Sequence, residues 1–472
     1  MVNRSLRWYD YIIINLNWFA LTSRSNVLTP LIVPLLVQQF VGEEIKGTYL
    51  GRMRLWALMI AILTQAITGI LSDRSTFRFG KRRPFIFIGT IVEVAFIVLI
   101  STTAGYEGMK GYWILFILYI FSMFGGNINH AATQGLIPDL IPDDKKGIAS
   151  GIKAVFEIPL PLVFVSMVIA NLVAAGNLSE ALTLLIFVLV ICMTITMFIP
   201  EKPRSDPPPM WSWTPFLRPI IMTCIFAIII LGIGKIVNLI LSSITFHPKI
   251  TNFVFIGVIG VLGISLAVLL GVWSGLRIGI GIEIKENPSY LWWVVNRLLF
   301  LTGVTNLGSF LIFFVQEKFS TLKLEQAAGP ASRLILYVGI FVLLTALFSG
   351  WLADTFGKKN LIIISGLLTV FGAGVIIISP ILSMTYMGGS IIGIGVGLFY
   401  TANWALGTEI VPKERAGQFL GFSNLAGAGA GAIGAYIGGP IADFTSYTLL
   451  MAISGCLALL SILPLIKIKD SR

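Results

Sequence analysis

Charged side chains set inside apolar runs are the residues of this chain that could do chemistry. Glu93 lies nine residues past Pro84 with apolar neighbours on both sides. An ionised carboxylate near a bilayer centre costs about 2.5 kcal/mol or more unless it is paired or protonated. Arg24 falls about 14 residues beyond Asp10, roughly 21 Å along a helix, and is a candidate partner for Glu93. His130, one of two histidines, sits in the polar stretch Asn127, Asn129, His130, Thr133, Gln134. Lys153 and Glu157, at i and i+4, can pair on one helix face. A carboxylate torn between desolvation and a nearby cation can load and release a proton. Glu93, Arg24, His130 and Glu157 are therefore the candidate proton-coupling residues, although each of these charges could equally serve as a structural ion pair.

A second chemistry is recognition of a small polar solute. Asn17, Asn127, His130 and Asn403 offer amides and an imidazole for hydroxyl groups, and Trp404, with Trp18 and Tyr400, offers rings that could stack on the apolar face of a sugar. The same residues could simply pack. No nucleophile triad, metal-ligand cluster or phosphate-cradling Walker loop occurs, so the chain reads as no enzyme, with no metal and no cofactor.

The elements that must position these residues are membrane helices. Hydrophobic residues make up 56% of the 472 and charged residues 12%, and the mean hydropathy is +0.91, which excludes an ordinary soluble domain. The net charge of +11 does not point to nucleic acid, because most cations gather in the loops of one side, as the positive-inside bias requires. At roughly 20 apolar residues per span, fourteen helices are expected near 10–39, 49–72, 84–104, 111–137, 147–174, 179–199, 219–244, 252–274, 290–316, 331–353, 361–380, 385–409, 416–439 and 446–466. The first carries a Leu28-Thr29-Pro30 break and enough polar residues that it must line an interior. Cys192, Cys224 and Cys456 are far apart in apolar runs and read as packing residues.

The chain is duplicated. Gly69 to Pro84 is a basic hairpin with five cations between Arg74 and Arg83, and Gly350 to Lys359 repeats its glycine, its acid four residues on and its Phe-Gly-basic-basic tail. Asp139 to Gly151 aligns without a gap on Glu409 to Gly421, each segment lying the same number of helices after its hairpin. Parallel repeats are a transporter architecture.

The hairpin resembles the signature loop of the major facilitator superfamily, and within it the chain is most similar to the glycoside and cation symporters, including the sucrose-transporter branch. That resemblance implies an all-α membrane protein of the major facilitator fold: a six-helix bundle over 1–200, a linker and two inserted helices over 201–285, and a second six-helix bundle over 286–472. Both termini are expected in the cytoplasm. The Glu201-Lys202-Pro203 to Pro209 segment would be a stiff linker. The resemblance assigns Gly69, Asp73, Arg74, Gly80, Arg82, Arg83, Asp139, Gly350, Asp354, Gly357, Lys358 and Glu409 to a gating latch. It departs from melibiose-type relatives by lacking acids in the second helix, where Gln65 is the main polar group between Trp56 and Ile70, which argues against sodium coupling. Gln134 stands where sucrose transporters carry an arginine.

The expected function is a secondary active transporter of the cell (inner or plasma) membrane, a monomer that takes up a sugar or glycoside with a proton. Its partners are a small-molecule substrate, protons and the lipid bilayer. Arginines in the first helix of each bundle, Arg24 and Arg297, also allow an organic-anion or phosphate-ester exchanger. A non-transporting scaffold on the same fold is a third reading.

Overall fold

The computed structural model describes residues 7–201, 203, 213–243, 250–279, 281, 287–411 and 416–468, with only the backbone given for 143, 214, 215, 250, 251 and 416–426. Residues 202 and 204–209 of the linker and residues 412–415 of the second repeat segment lie outside the described residues. Among those described, the regular elements are all helical. Helices are the form that lets each backbone N–H and C=O find its partner within one segment in lipid.

In chain order the helices are α1 Trp8–Val41, α2 Lys46–Asp73, α3 Arg83–Gly105, α4 Gly108–Leu140, α5 Lys146–Ala174 and α6 Leu178–Thr196. There follow α7 Thr214–Ser242, α8 Ile250–Gly279, α9 Pro288–Ser309, α10 Leu311–Lys318, α11 Leu324–Phe356, α12 Lys358–Ile378, α13 Leu382–Ile410 and α14 Ala416–Phe444, and then α15 Tyr447–Lys467. Twelve are long and apolar enough to cross a membrane, thirteen when α9 and α10 count as one bent span. The remaining expected span is α14, a 29-residue helix whose first side chains are not described.

Three local expectations change. Pro30 does not break α1; the chain absorbs its missing N–H in one π-helical turn, Leu28–Ile32, and continues. The ninth span bends by 57° between Ser309 and Leu311, where Ser309 Oγ donates to the Thr305 carbonyl at 2.6 Å and competes with the helical ladder. Of the three cysteines only Cys192 is buried, whereas Cys224 and Cys456 are exposed on the helix surfaces.

Contacts divide the chain into two units, Met1–Phe40 with Ile60–Pro219, and Val41–Met59 with Ile220–Arg472. In the first, Tyr11, Ile14, Ile86, Ala132, Leu136 and Met193 form a buried apolar cluster beside the hairpin. Helix α1 is the most enclosed span, with 72% of its most apolar window buried against 17% for α11. Its burial matches its polarity, because Asn15, Asn17 and Arg24 can be tolerated only away from lipid. In the second unit the inserted helices pack on α14 and α15. The Phe226 ring faces Gly429, and Gly260 faces Ile441 and Ile453, so the glycine run of α14 provides seats for neighbouring helices.

Candidate transport site

The first unit brings Arg24 of α1 and Glu93 of α3 together, Nε to Oε1 at 2.5 Å. Arg24 is 4% exposed and Glu93 fully buried. Arg24 Nη1 also approaches Met123 Sδ at 3.4 Å. Gly126 of α4 makes room for this pair, since a Cβ there would collide with both the guanidinium and the carboxylate. Glu93 is thus neutralised by Arg24, not by His130.

His130 belongs to a separate polar ladder. Its Nδ1 lies 3.2 Å from Gln65 Nε2 and its Nε2 3.1 Å from Gln134 Nε2, while Gln65 also donates to Asn127 Oδ1 at 2.7 Å. Asn127 is buried and donates to the Met123 carbonyl at 2.6 Å; His130 is half-buried and Gln134 exposed. Asn17 Nδ2 donates to Asn129 Oδ1 at 2.6 Å and Thr133 Oγ1 at 2.7 Å, and Asn129 reaches Thr90 Oγ1 at 3.0 Å. Asn17 therefore ties α1 to α4, fully buried. Lys153 and Glu157 pair at 3.1 Å, and the Lys153 ammonium sits 4.0 Å over the Trp18 ring. That face of Trp18 is occupied by a cation.

The second unit holds a different arrangement. Arg297 of α9 is 6% exposed, and its Nη1 donates to Asn403 Oδ1 of α13 at 3.1 Å. Asn403 donates in turn to Asn296 Oδ1 at 2.7 Å, and Asn296 donates to the Ser461 carbonyl at 2.6 Å. Trp293 Nε1 bonds the Asn403 carbonyl at 2.9 Å. The guanidinium carbon lies 5.9 Å from the Trp293 ring and 5.4 Å from the Trp404 ring. Trp404 and Tyr400 are 38% and 43% exposed.

At the first hairpin Arg82, not its neighbour Arg83, is the bridging cation. Its Nη2 meets Asp73 at 2.5 Å and its Nε meets Asp139 at 2.7 Å, its Nη1 bonds Ser72, and Lys81 adds a contact to Asp139 at 3.0 Å. Glu201 takes the backbone N–H groups of Lys81, Arg82 and Arg83 at 2.8, 2.6 and 3.0 Å, capping the start of α3. Gly80, at φ +109°, allows the close approach of that carboxylate. Arg74 stacks on Phe216 at 5.9 Å. Gly69 and Gly350 face open space. The second hairpin is simpler: Gly357 turns the chain at φ +84°, Lys358 pairs with Glu409, Lys359 donates to the Ile468 carbonyl at 2.6 Å, and Asp354 is exposed.

Sequence reasoning missed the Glu201 cap, the Asn296 and Trp293 clamp on Asn403, and a polar cluster at the opposite end of α2. There Asp443 accepts from the N–H groups of Gly47 and Thr48 at 2.8 and 2.6 Å. Lys46 donates to Gln316 at 2.9 Å, and Glu317 caps α15 through Tyr447 N at 2.8 Å. No local signal could have found these caps, because each acid lies more than a hundred residues from the N–H groups that it accepts.

These helices and their duplicated hairpins define a transporter, and the comparisons place it. Residues 16–322 and 294–472 match the model of the Major Facilitator Superfamily, and the chain belongs to that family. A lactose permease of Lactobacillus helveticus is 29% identical over 143 residues, covering 28% of this chain and 22% of that protein. Among solved structures, the nucleoside transporter NupG superposes with a TM-score of 0.68 at 11% identity, covering 98% of this chain and 100% of that one. A peptide transporter POT in complex with sulfate gives 0.65 at 14%, over 98% and 94%. A D-xylose-proton symporter gives 0.58 at 16%, over 96% and 95%. At these identities the structures share the fold. The chain is a multi-pass membrane transporter of a small molecule, in a family whose members are not enzymes.

Proposed function

We propose that the protein is a proton-coupled symporter of a sugar or glycoside, a secondary active transporter working by alternating access as a monomer in the cell membrane, with both termini cytoplasmic. The observation that carries this reading is the buried Arg24–Glu93 pair. A buried carboxylate with a cationic partner is ionised while Arg24 stays against it, and takes a proton when Arg24 moves to another acceptor. Protonation of a Glu93 oxygen neutralises the carboxylate, leaves the Arg24 charge unbalanced and frees its guanidinium to take another acceptor. Exchange between these states can couple a proton to rearrangement of α1, α3 and α4.

Gln65, His130 and Gln134 form a ladder of donors and acceptors that suits a polyol. Two of the similar proteins are named for sugars, lactose and D-xylose, which supports the solute class. The test is uptake of labelled sugars into proteoliposomes with and without an inward proton gradient. Glu93→Gln is expected to lose gradient-driven accumulation while keeping sugar exchange; undiminished accumulation would remove Glu93 from the mechanism.

A further inference from the structure

Lys235 is a charge on the outside of the inserted helix pair. The inner face of α7 is apolar and packed: Ile230, Ile233, Val237 and Leu241 are buried, the Phe226 ring lies over Gly271 and Gly429, Gly234 meets Tyr436, and Val237 meets Gly263. The opposite face carries Ile221, Ile228 and Leu239, all exposed, Ile228 at 67%. Residues at i, i+3, i+4 and i+7 share a helix face. By that spacing Lys235, Asn238 and Ser242 continue the line from Ile221 and Ile228 to the end of α7. Lys235 and Ser242 are exposed and Asn238 is half-buried. One line on the lipid side thus passes from bare hydrocarbon to an ammonium, an amide and a hydroxyl.

The ammonium has no partner within the chain. Among the described residues no ion pair includes Lys235, and neither Lys235 nor Asn238 makes a hydrogen bond. Ser242 spends its hydroxyl proton on the Leu239 carbonyl at 2.9 Å. Nor does the neighbouring sequence supply an acid: Arg218, Lys235, Lys249 and Arg277 all fall between Asp206 and Glu283, and no Asp or Glu does. Arg277 lies 5.1 Å from the Trp273 ring, whereas Lys235 stands among aliphatic side chains. A helix of 29 residues is about 43 Å long and overhangs a hydrocarbon layer of about 30 Å at both ends. Lys235, about 10 Å before Ser242, therefore sits a few ångströms below the edge of that layer. A bare ammonium is costly there, and its four-carbon stem lets it reach the level of the headgroup phosphates.

We propose that this line on α7 seats an anionic phospholipid in the leaflet at the Ser242 end of the helix. Its phosphate lies against Lys235 Nζ and Asn238 Nδ2, and an acyl chain runs along Ile228 and Ile221. Charge selects the headgroup. A net-negative lipid brings the insert a counter-charge that no acid of its own supplies, whereas the phosphate of a zwitterionic lipid already has a cation beside it. The inserted pair, seated on α14 and α15 through its glycine contacts, then anchors the second unit to lipid whatever solute is carried.

The test is native mass spectrometry of the purified full-length chain from micelles holding equal amounts of dioleoyl phosphatidylglycerol and dioleoyl phosphatidylcholine. Wild type is expected to retain phosphatidylglycerol in preference, and Lys235→Leu to lose about fivefold of that preference, the share of one cation near an anionic surface. Lys235→Arg should keep it, and Asn238→Leu should lose less. If Lys235→Leu melts at a lower temperature than wild type, Lys235→Gln gives the same reading with a polar side chain. Equal retention of the two lipids by wild type, or a preference unchanged when the charge is removed, overturns the proposal. Displacement of the lipid by excess inorganic phosphate would make the line a seat for free anions, and a dimer lost in Lys235→Leu at constant lipid would make it a contact with a second copy; either result also overturns it.

Discussion

Arg24 of α1 and Arg297 of α9 are both buried, at 4% and 6% exposure. One is met by a carboxylate across the helix boundary; the other is met by an amide and two indole rings. The contrast separates two electrostatic states of a buried guanidinium. A closed ion pair stores a site for a proton, because its charge balance can be completed or undone by one proton. A guanidinium held by an amide and two rings keeps its charge, because none of those neutral groups carries an opposite one.

Stability measurements can break that contrast. The largest effect is expected for Glu93→Ala, which strands Arg24 unpaired in the interior and should cost about 3–5 kcal/mol in thermal melts of the detergent-solubilised protein. Combining it with Arg24→Met should recover most of the loss, and additivity of the two would show that the pair is not coupled. Gly126→Ala comes next. Its methyl group would overlap both members of the pair, so a loss of about 1–3 kcal/mol is expected, shrinking in the double variant that lacks the pair. The smallest effect belongs to Arg297→Met, about 1–2 kcal/mol from one hydrogen bond and its ring contacts. If it instead destabilised as much as Glu93→Ala, Arg297 would have an internal partner of ionic strength and the contrast would fail.

The two hairpins show how much of the site could be read from the sequence. Their shared glycine, acid and basic tail were visible because short loops repeat residue types at fixed spacing, and the structure gives each hairpin a charged clasp. The difference between them was not visible. Glu201 is more than a hundred residues from the N–H groups that it caps, and whether Arg82 or Arg83 turns inward depends on packing beside Gly135, whose missing side chain leaves space for the Arg82 guanidinium. Similarly, Glu93 was recognisable as an isolated acid in an apolar run, yet the choice between Arg24 and His130 as its partner required the helix crossing at Gly126. Asn403 appeared as a hydroxyl-binding amide and proved to be locked by Asn296 and Trp293. The bend after Ser309 and the π turn at Pro30 were beyond apolar periodicity, which counts residues without reporting how a helix distributes a lost hydrogen bond.

The sequence by itself determined the medium, the helices and the duplication. Hydropathy acts segment by segment, since each span must satisfy its own backbone in lipid. It also determined which residues could be ionised or hydrogen-bonded inside. Only the tertiary structure decided which of those groups are satisfied, because pairing in a membrane interior is a matter of a few ångströms between helices far apart in the chain. A carboxylate 2.5 Å from Arg24 and an amide 3.1 Å from Arg297 turn two similar arginines into different electrostatic sites, one paired with an acid and one held, among the described residues, by neutral groups.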